Sequence, residues 1–262
     1  MRNSPIGIFD SGVGGLTIYQ EIHKLLPQES IIYLADSKHA PYGEKSKEEI
    51  IEISDKNTAF LLSKGCKLIV VACNTASTNA VYYLREKYDV PIIRVQPAIK
   101  PAALNSKTKV VGILATKGTL KSELLFETSQ RFAQGVQVVE QVGEGLVSLI
   151  ESGKMHSPEM DELLSKYIPP MIEKNIDYLV LGCTHYPFLS PQIKALVGDE
   201  IIILDSGEAI ARQTKVILEQ EDLINDNPTE IKRIFYTNKN TAVLQNILDE
   251  FDENLKAIKI DF

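Results

Sequence analysis

Cysteine is scarce in this chain, tryptophan is absent, and no apolar run is long. Only Cys66, Cys73 and Cys183 occur among 262 residues. A count that is odd and low does not make a disulfide framework, so any special cysteine is expected to be a free thiol in a reducing compartment. No apolar stretch approaches the ~20 residues of a spanning helix. Met1-Arg2-Asn3-Ser4-Pro5 leads into an apolar run of only Ile6 to Phe9, too short for the core of a signal peptide. The chain is therefore expected to be cytoplasmic, with no membrane contact. Basic residues are outnumbered: 28 Lys and Arg face 35 Asp and Glu, a net charge of −7. A general nucleic-acid binder carries a basic face, so nucleic acid is not an expected partner. There is no Cys-x-x-Cys and there are only four histidines, which weakens a redox pair and a zinc site alike.

What is present is an ordinary globular composition, 44% apolar and 24% charged. The length suits one large domain or two compact ones. Short apolar runs stand at Ile6-Phe9, Ile31-Ala35, Leu68-Ala72, Val110-Leu114, Val136-Val139, Tyr178-Leu181 and Ile201-Leu204. They alternate with helical spacing over Ser46-Leu62, Thr78-Lys87, Pro158-Glu173 and Glu208-Leu218. Buried parallel strands read as such runs, and their alternation with helices predicts an α/β fold with parallel sheets. Ligands in such folds bind beyond the carboxyl ends of the strands. The residues there are Asp10-Ser11-Gly12, Asp36-Ser37, Cys73-Asn74-Thr75, Thr116-Lys117-Gly118, Gly182-Cys183-Thr184-His185 and Asp205-Ser206. Helix capping accounts for Asp, Ser and Thr at these places but not for two cysteines.

The chain also repeats itself. Ile6-Gly7-Ile8-Phe9 matches Val111-Gly112-Ile113-Leu114, and Val70-Val71-Ala72-Cys73-Asn74-Thr75 matches Val180-Leu181-Gly182-Cys183-Thr184-His185 at nearly the same offset. Each half thus holds one strand ending at a hydroxyl, Ser11 or Thr116, and one ending at a cysteine. Pro97 and Pro101 punctuate the chain before the second half, and Asp205-Ser206-Gly207 after it. The expected division is 1–96 plus 208–262 for the half with Cys73, and 97–207 for the half with Cys183.

Two thiols approaching one pocket from opposite halves can serve as base and acid on opposite faces of one carbon, which inverts a stereocentre. Both are expected to precede helices, whose N-termini favour thiolate. A cysteine hydrolase using Cys183 and His185 is the competing chemistry. Cys66, in Lys64-Gly65-Cys66-Lys67, reads as an inert structural thiol. Gly12-Val13-Gly14-Gly15 could hold an anion on backbone N–H groups, yet it is neither a dinucleotide fingerprint nor a phosphate loop.

Four stretches carry a resemblance: Asp10 to Gly15, Asp36-Ser37-Lys38-His39-Ala40-Pro41-Tyr42-Gly43, Ala72-Cys73-Asn74-Thr75-Ala76, and Leu181-Gly182-Cys183-Thr184-His185-Tyr186-Pro187. In this order and spacing they resemble the bacterial glutamate racemases of the aspartate/glutamate racemase superfamily, over about residues 5 to 220. The resemblance implies a cofactor-independent isomerase that interconverts L- and D-glutamate and supplies D-glutamate for peptidoglycan. It implies two similar parallel-sheet α/β domains related by a pseudo-twofold, with the active site between them. A homodimer is suggested on the same ground. By motif, Cys73 would act on D-glutamate with help from Asp10, and Cys183 on L-glutamate with help from His185. Ser11, Pro41, Tyr42, Gly43, Asn74, Thr75, Thr116, Thr119 and Thr184 would hold the substrate. Glu151 matches a family acid near the histidine, although the preceding Gln141-Val142-Gly143-Glu144 departs from the family pattern. The rivals are a racemase of another acidic amino acid, a pyridoxal enzyme, and a two-lobed binding protein without catalysis.

Overall fold

The structure, a computed structural model, describes residues 2–226 and 230–262; Met1 and 227–229, which fall within the span assigned to the first half, lie outside the described residues. Among the described residues ten strands form two sheets, all parallel. The first holds β1 (Ile6–Asp10), β2 (Ile31–Ala35), β3 (Leu68–Val71), β4 (Ile92–Arg94), β9 (Arg233–Thr237) and β10 (Ala257–Lys259), in the order β10-β9-β2-β1-β3-β4. The second holds β5 (Val110–Ala115), β6 (Gln137–Val142), β7 (Tyr178–Gly182) and β8 (Ile202–Leu204), in the order β6-β5-β7-β8. Within each sheet the opening strand sits between the second and third, with the fourth beyond the third. The matched sequences are therefore β1 with β5 and β3 with β7. The protein consists of two parallel-sheet α/β domains.

Burial on both faces explains the unbroken apolar runs. On one face Ile6 and Ile8 pack with Leu16, Tyr19 and Ile22; on the other Phe9, Ile69 and Val71 pack with Ile50 and Leu61. The helix Lys47–Ser63 opens on a capping box, Ser46 with Glu49, which satisfies two of its free N–H groups. Three expectations need correction. The helix expected over Pro158-Glu173 breaks at Ile168, because Pro169 and Pro170 lack the N–H groups that would continue it. That over Thr78-Lys87 starts earlier, at Asn74, and is divided at Ala80. The strand over Val136-Val139 runs from Gln137 to Val142.

The carboxyl-terminal segment inserts β9 beside β2, pairing Ile31 with Arg233 through Ala35 with Thr237. Deeper attachment comes from Lys67 Nζ, which meets Glu29 Oε2 at 2.6 Å and the Leu223 carbonyl at 2.8 Å with both charged side chains 1% exposed. Cys66 is buried against Gly7, where even a Cβ would lie 2.9 Å from its sulfur.

Burial pushes the Cys66 thiol up to about 12. An unfolded thiol ionises near 8.5, so its stabilising effect is complete below that pH and is lost as pH rises toward the folded value. Cys66→Ala is expected to flatten the alkaline fall in stability by about 1.4 kcal/mol per pH unit above pH 9. Urea denaturation across pH 8 to 11 checks this, and identical slopes in parent and variant would refute it.

Candidate active site

β1 and β3 end side by side in the first sheet, and β5 and β7 in the second. Their carboxyl ends meet at one small cavity. Ser11, Pro41, Tyr42, Gly43, Cys73, Asn74 and Thr75 line it from the first domain, and Thr116, Val147, Cys183, Thr184 and His185 from the second. Its volume is about 10 Å³, room for one water molecule. A much larger groove of about 1170 Å³ lies where the chain passes between the two sheets, between Arg94, Gln96 and Lys100 and Asp205, Ser206 and Arg212. It contains none of the expected site residues. There the two chain crossings are joined by Ser206 Oγ donating to the Gln96 carbonyl at 2.5 Å.

The two sulfurs sit in unlike surroundings. Cys73 caps the helix Asn74–Asn79 and accepts from the Ala76 N–H at 3.5 Å, with Ser11 Oγ at 3.7 Å. Burial, followed by the charge of Asp10, still pushes its thiol up to about 12. These surroundings favour the thiol of Cys73, the proton-donating form, over its thiolate. Cys183 is expected to precede a helix, but a short 3-10 turn, Tyr186–Leu189, follows it and the α-helix starts only at Ser190. Pro191 cannot donate to the carbonyl four residues back, so no continuous helix can run from Cys183. Instead Cys183 has His185 Nδ1 at 3.8 Å.

His185 Nε2 meets Glu151 Oε1 at 2.7 Å. Burial opposes a charge on the imidazole, but the contacts with Cys183 and Glu151 win and hold its pKa well above the ordinary value. Burial likewise opposes ionisation of Glu151; the hydrogen bond and charge of His185, with the Val13 N–H and the Ser37 side chain, hold its pKa below normal. Both shifts run toward the charged forms, imidazolium and carboxylate. Asp10 is the opposite case: burial keeps its pKa raised despite Thr184 Oγ1 at 2.9 Å and the Gly12 N–H at 2.9 Å.

These supports cross between the domains. Thr184, beside Cys183, donates to Asp10 in the domain of Cys73. Val13, in that domain, donates to Glu151 Oε1 at 2.6 Å, and Glu151 holds His185. The glycine cluster does hold an anion, and the anion is the protein's own Glu151. The glycines make room for it: a Cβ on Gly12 would fall 1.8 Å from Glu151 Oε1, and one on Gly14 would fall 2.2 Å from His185 Nδ1. Gly12→Ala is accordingly expected to destabilise by about 1–3 kcal/mol through overpacking, read as a lower urea midpoint. A variant as stable as the parent would mean that the pair does not rest on this loop.

Of the expected site residues, eleven side chains or turns line the cavity: Ser11, Pro41, Tyr42, Gly43, Cys73, Asn74, Thr75, Thr116, Cys183, Thr184 and His185. Asp10 and Glu151 stand behind them as partners of Thr184 and His185. Thr119 is buried behind Thr116 and Thr75, with hydroxyls at 3.1 and 3.4 Å. Asn74 Nδ2 is buried with no hydrogen-bond partner among the described residues, a free donor in the cavity wall. Val147 lines the cavity without any expectation, since an apolar residue inside Leu146–Glu151 reads as core. Ser37, whose side chain contacts Glu151, stands among the strand-end residues, and that place was its only signal in the sequence.

Similarity to known proteins agrees with this geometry. The family model for Asp/Glu/hydantoin racemase matches residues 6–214. The glutamate racemase of Ectopseudomonas mendocina is 46% identical over 251 residues, covering 94% of this chain and 95% of that protein. Among solved structures, a glutamate racemase isoform of Bacillus anthracis superposes with a TM-score of 0.89 at 30% identity, covering 100% and 99% of the two chains. The Escherichia coli glutamate racemase, solved with L-glutamate and the activator UDP-MurNAc-ala, gives 0.85 at 35% identity and covers 99% and 100%.

Proposed function

Since the chain belongs to the Asp/Glu/hydantoin racemase family, we propose that it is a glutamate racemase that needs no cofactor and moves protons with Cys73 and Cys183. The observation that carries this reading is the pair of cysteines, one at the end of β3 and one at the end of β7, on the walls of a single cavity between the domains. The lobes are 1–96 with 208–262, and 97–207. The identity to glutamate racemases, one of them solved with L-glutamate, supports the substrate. So does the lining: Ser11, Thr75, Thr116 and the unpartnered Asn74 amide offer hydrogen-bond donors for two carboxylates. A cavity of about 10 Å³ cannot hold glutamate, so the lobes part about the two chain crossings near Gln96 and Ser206 to admit it.

The unlike surroundings of the cysteines support a direction for each. Cys183, beside the charged His185, takes the α-proton of L-glutamate: the Cα–H bond breaks, an S–H bond forms, and the electron pair stays on carbon. The neutral Cys73 thiol then gives its proton to the opposite face, leaving D-glutamate and a Cys73 thiolate. D-glutamate runs the same steps backward. The α-proton is very weakly acidic, so closed lobes and fixed donors must stabilise the carbanion-like charge. The D-glutamate formed would serve peptidoglycan synthesis.

Purified protein incubated with L-glutamate in deuterium oxide tests this directly. The circular dichroism of the amino acid should decay to zero while one deuterium enters at Cα, with no visible absorption from the protein. Decay with aspartate alone would move the substrate, and glutamate binding without exchange would replace catalysis by a binding function.

A further inference from the structure

Tyr42 helps form the cavity wall, but its hydroxyl is engaged behind that wall. It donates to Asp36 Oδ2 and accepts from Asn57 Nδ2 at 3.0 Å. Asp36 follows β2, is fully buried, and has no lysine or arginine partner among the described residues. A buried carboxylate so placed depends on its donors. Besides Tyr42 it has His39 Nδ1 at 2.6 Å and Asn238 Nδ2 at 2.5 Å, both on Oδ1. Asn238 stands directly after β9, in the carboxyl-terminal segment, and is 6% exposed. Its amide is used at both ends, because Oδ1 also accepts from the Lys38 N–H at 2.9 Å. One side chain from residue 238 therefore grips both sides of the turn that leads from Asp36 to Pro41, Tyr42 and Gly43.

We propose that Asn238 is a positioning residue for the racemase site: by holding Asp36 and the Lys38 amide it fixes the Pro41-Tyr42-Gly43 wall against which the substrate binds. The role rests on the racemase reading above. Insertion of β9 beside β2 then does more than extend a sheet, since it delivers this amide to the back of the active site. Asn238 touches neither sulfur's partners nor the cavity, so its loss acts on binding before it acts on proton transfer.

Steady-state kinetics with both enantiomers test the proposal. Asn238→Ala should raise KM about tenfold, the worth of one hydrogen bond to a charged group, while kcat stays within about twofold. Asn238→Asp keeps the shape and the acceptor for Lys38 but sets a carboxylate against Asp36, so its KM should rise further. It also keeps the test alive if the alanine variant folds poorly. The His39 imidazole resonances, which report on Asp36, should move in both variants. In a Tyr42→Phe background, Asn238→Ala should add less than about twofold to KM, because the chain of contacts is already cut. Unchanged KM, a loss confined to kcat, or full additivity with Tyr42→Phe would overturn the proposal while leaving the racemase intact. A parent protein that does not racemise glutamate would remove the racemase reading itself, and this role with it.

Discussion

Cys73→Ser and Cys183→Ser should each lower racemisation in both directions by about a thousandfold or more, since each removes one of two proton carriers. A serine hydroxyl is far too weak an acid and base to replace a thiol at neutral pH. The two variants are nevertheless expected to differ in one irreversible reaction. A glutamate hydroxylated on nitrogen needs only the first half of the mechanism. The Cα–H bond breaks toward a thiolate, the electron pair forms a C=N bond, and the N–O bond breaks with release of water. Cys73→Ser retains Cys183 and its His185–Glu151 pair, so it should still eliminate water from the L-analogue. Cys183→Ser retains Cys73, capped by the Ala76 N–H, and should eliminate from the D-analogue. Release of 2-oxoglutarate from the resulting imine gives the rate. If both variants processed the same isomer, the sulfurs would not address opposite faces of the carbon.

The positions of these sulfurs were readable because buried parallel strands leave a plain trace. β1, β3, β5 and β7 are short apolar runs, and Cys73 and Cys183 follow two of them at matching places in the repeat. β9 was less readable although Arg233-Ile234-Phe235-Tyr236-Thr237 has strand-like residues, because nothing local says that a segment so late in the chain pairs with β2. What could not be read is the support behind the cavity. The Val13–Glu151 bond joins residues 138 apart, the Thr184–Asp10 bond 174, and the Asn238–Asp36 bond 202. Spacing along the chain carries no signal for such contacts. The glycine cluster illustrates the difference: its capacity for an anion is a local backbone property, but which anion occupies it is decided by the approach of the other domain.

His185→Asn and Asp10→Asn should each cost about 10²–10⁴-fold in the overall reaction, the usual range for one acid–base aid. Symmetry conceals which cysteine each serves. Enantiomers are equal in energy, so the equilibrium constant is one and kcat/KM must fall equally in both directions for any variant. The assignment therefore has to be read from the irreversible elimination. His185 lies 3.8 Å from Cys183 and is charged through its pairing with Glu151, so His185→Asn removes the cation beside that sulfur. Elimination from the L-analogue should collapse while the D-analogue keeps most of its rate. Asp10 acts from the other side: it lies close enough to Cys73 for its charge to act on that thiol, and burial raises its own pKa, which suits it to take up and return a proton there. Asp10→Asn keeps the shape and an acceptor for Thr184, but it can no longer accept or return a proton. Elimination from the D-analogue should then fall and the L-analogue should not. The cross-domain bonds supply an internal control. Thr184→Val cuts the bond to Asp10 without touching Asp10 itself, so its loss should resemble that of Asp10→Asn in direction and be smaller in size. Equal losses for both analogues in all three variants would mean that Asp10 and His185 serve only to hold the closed lobes together.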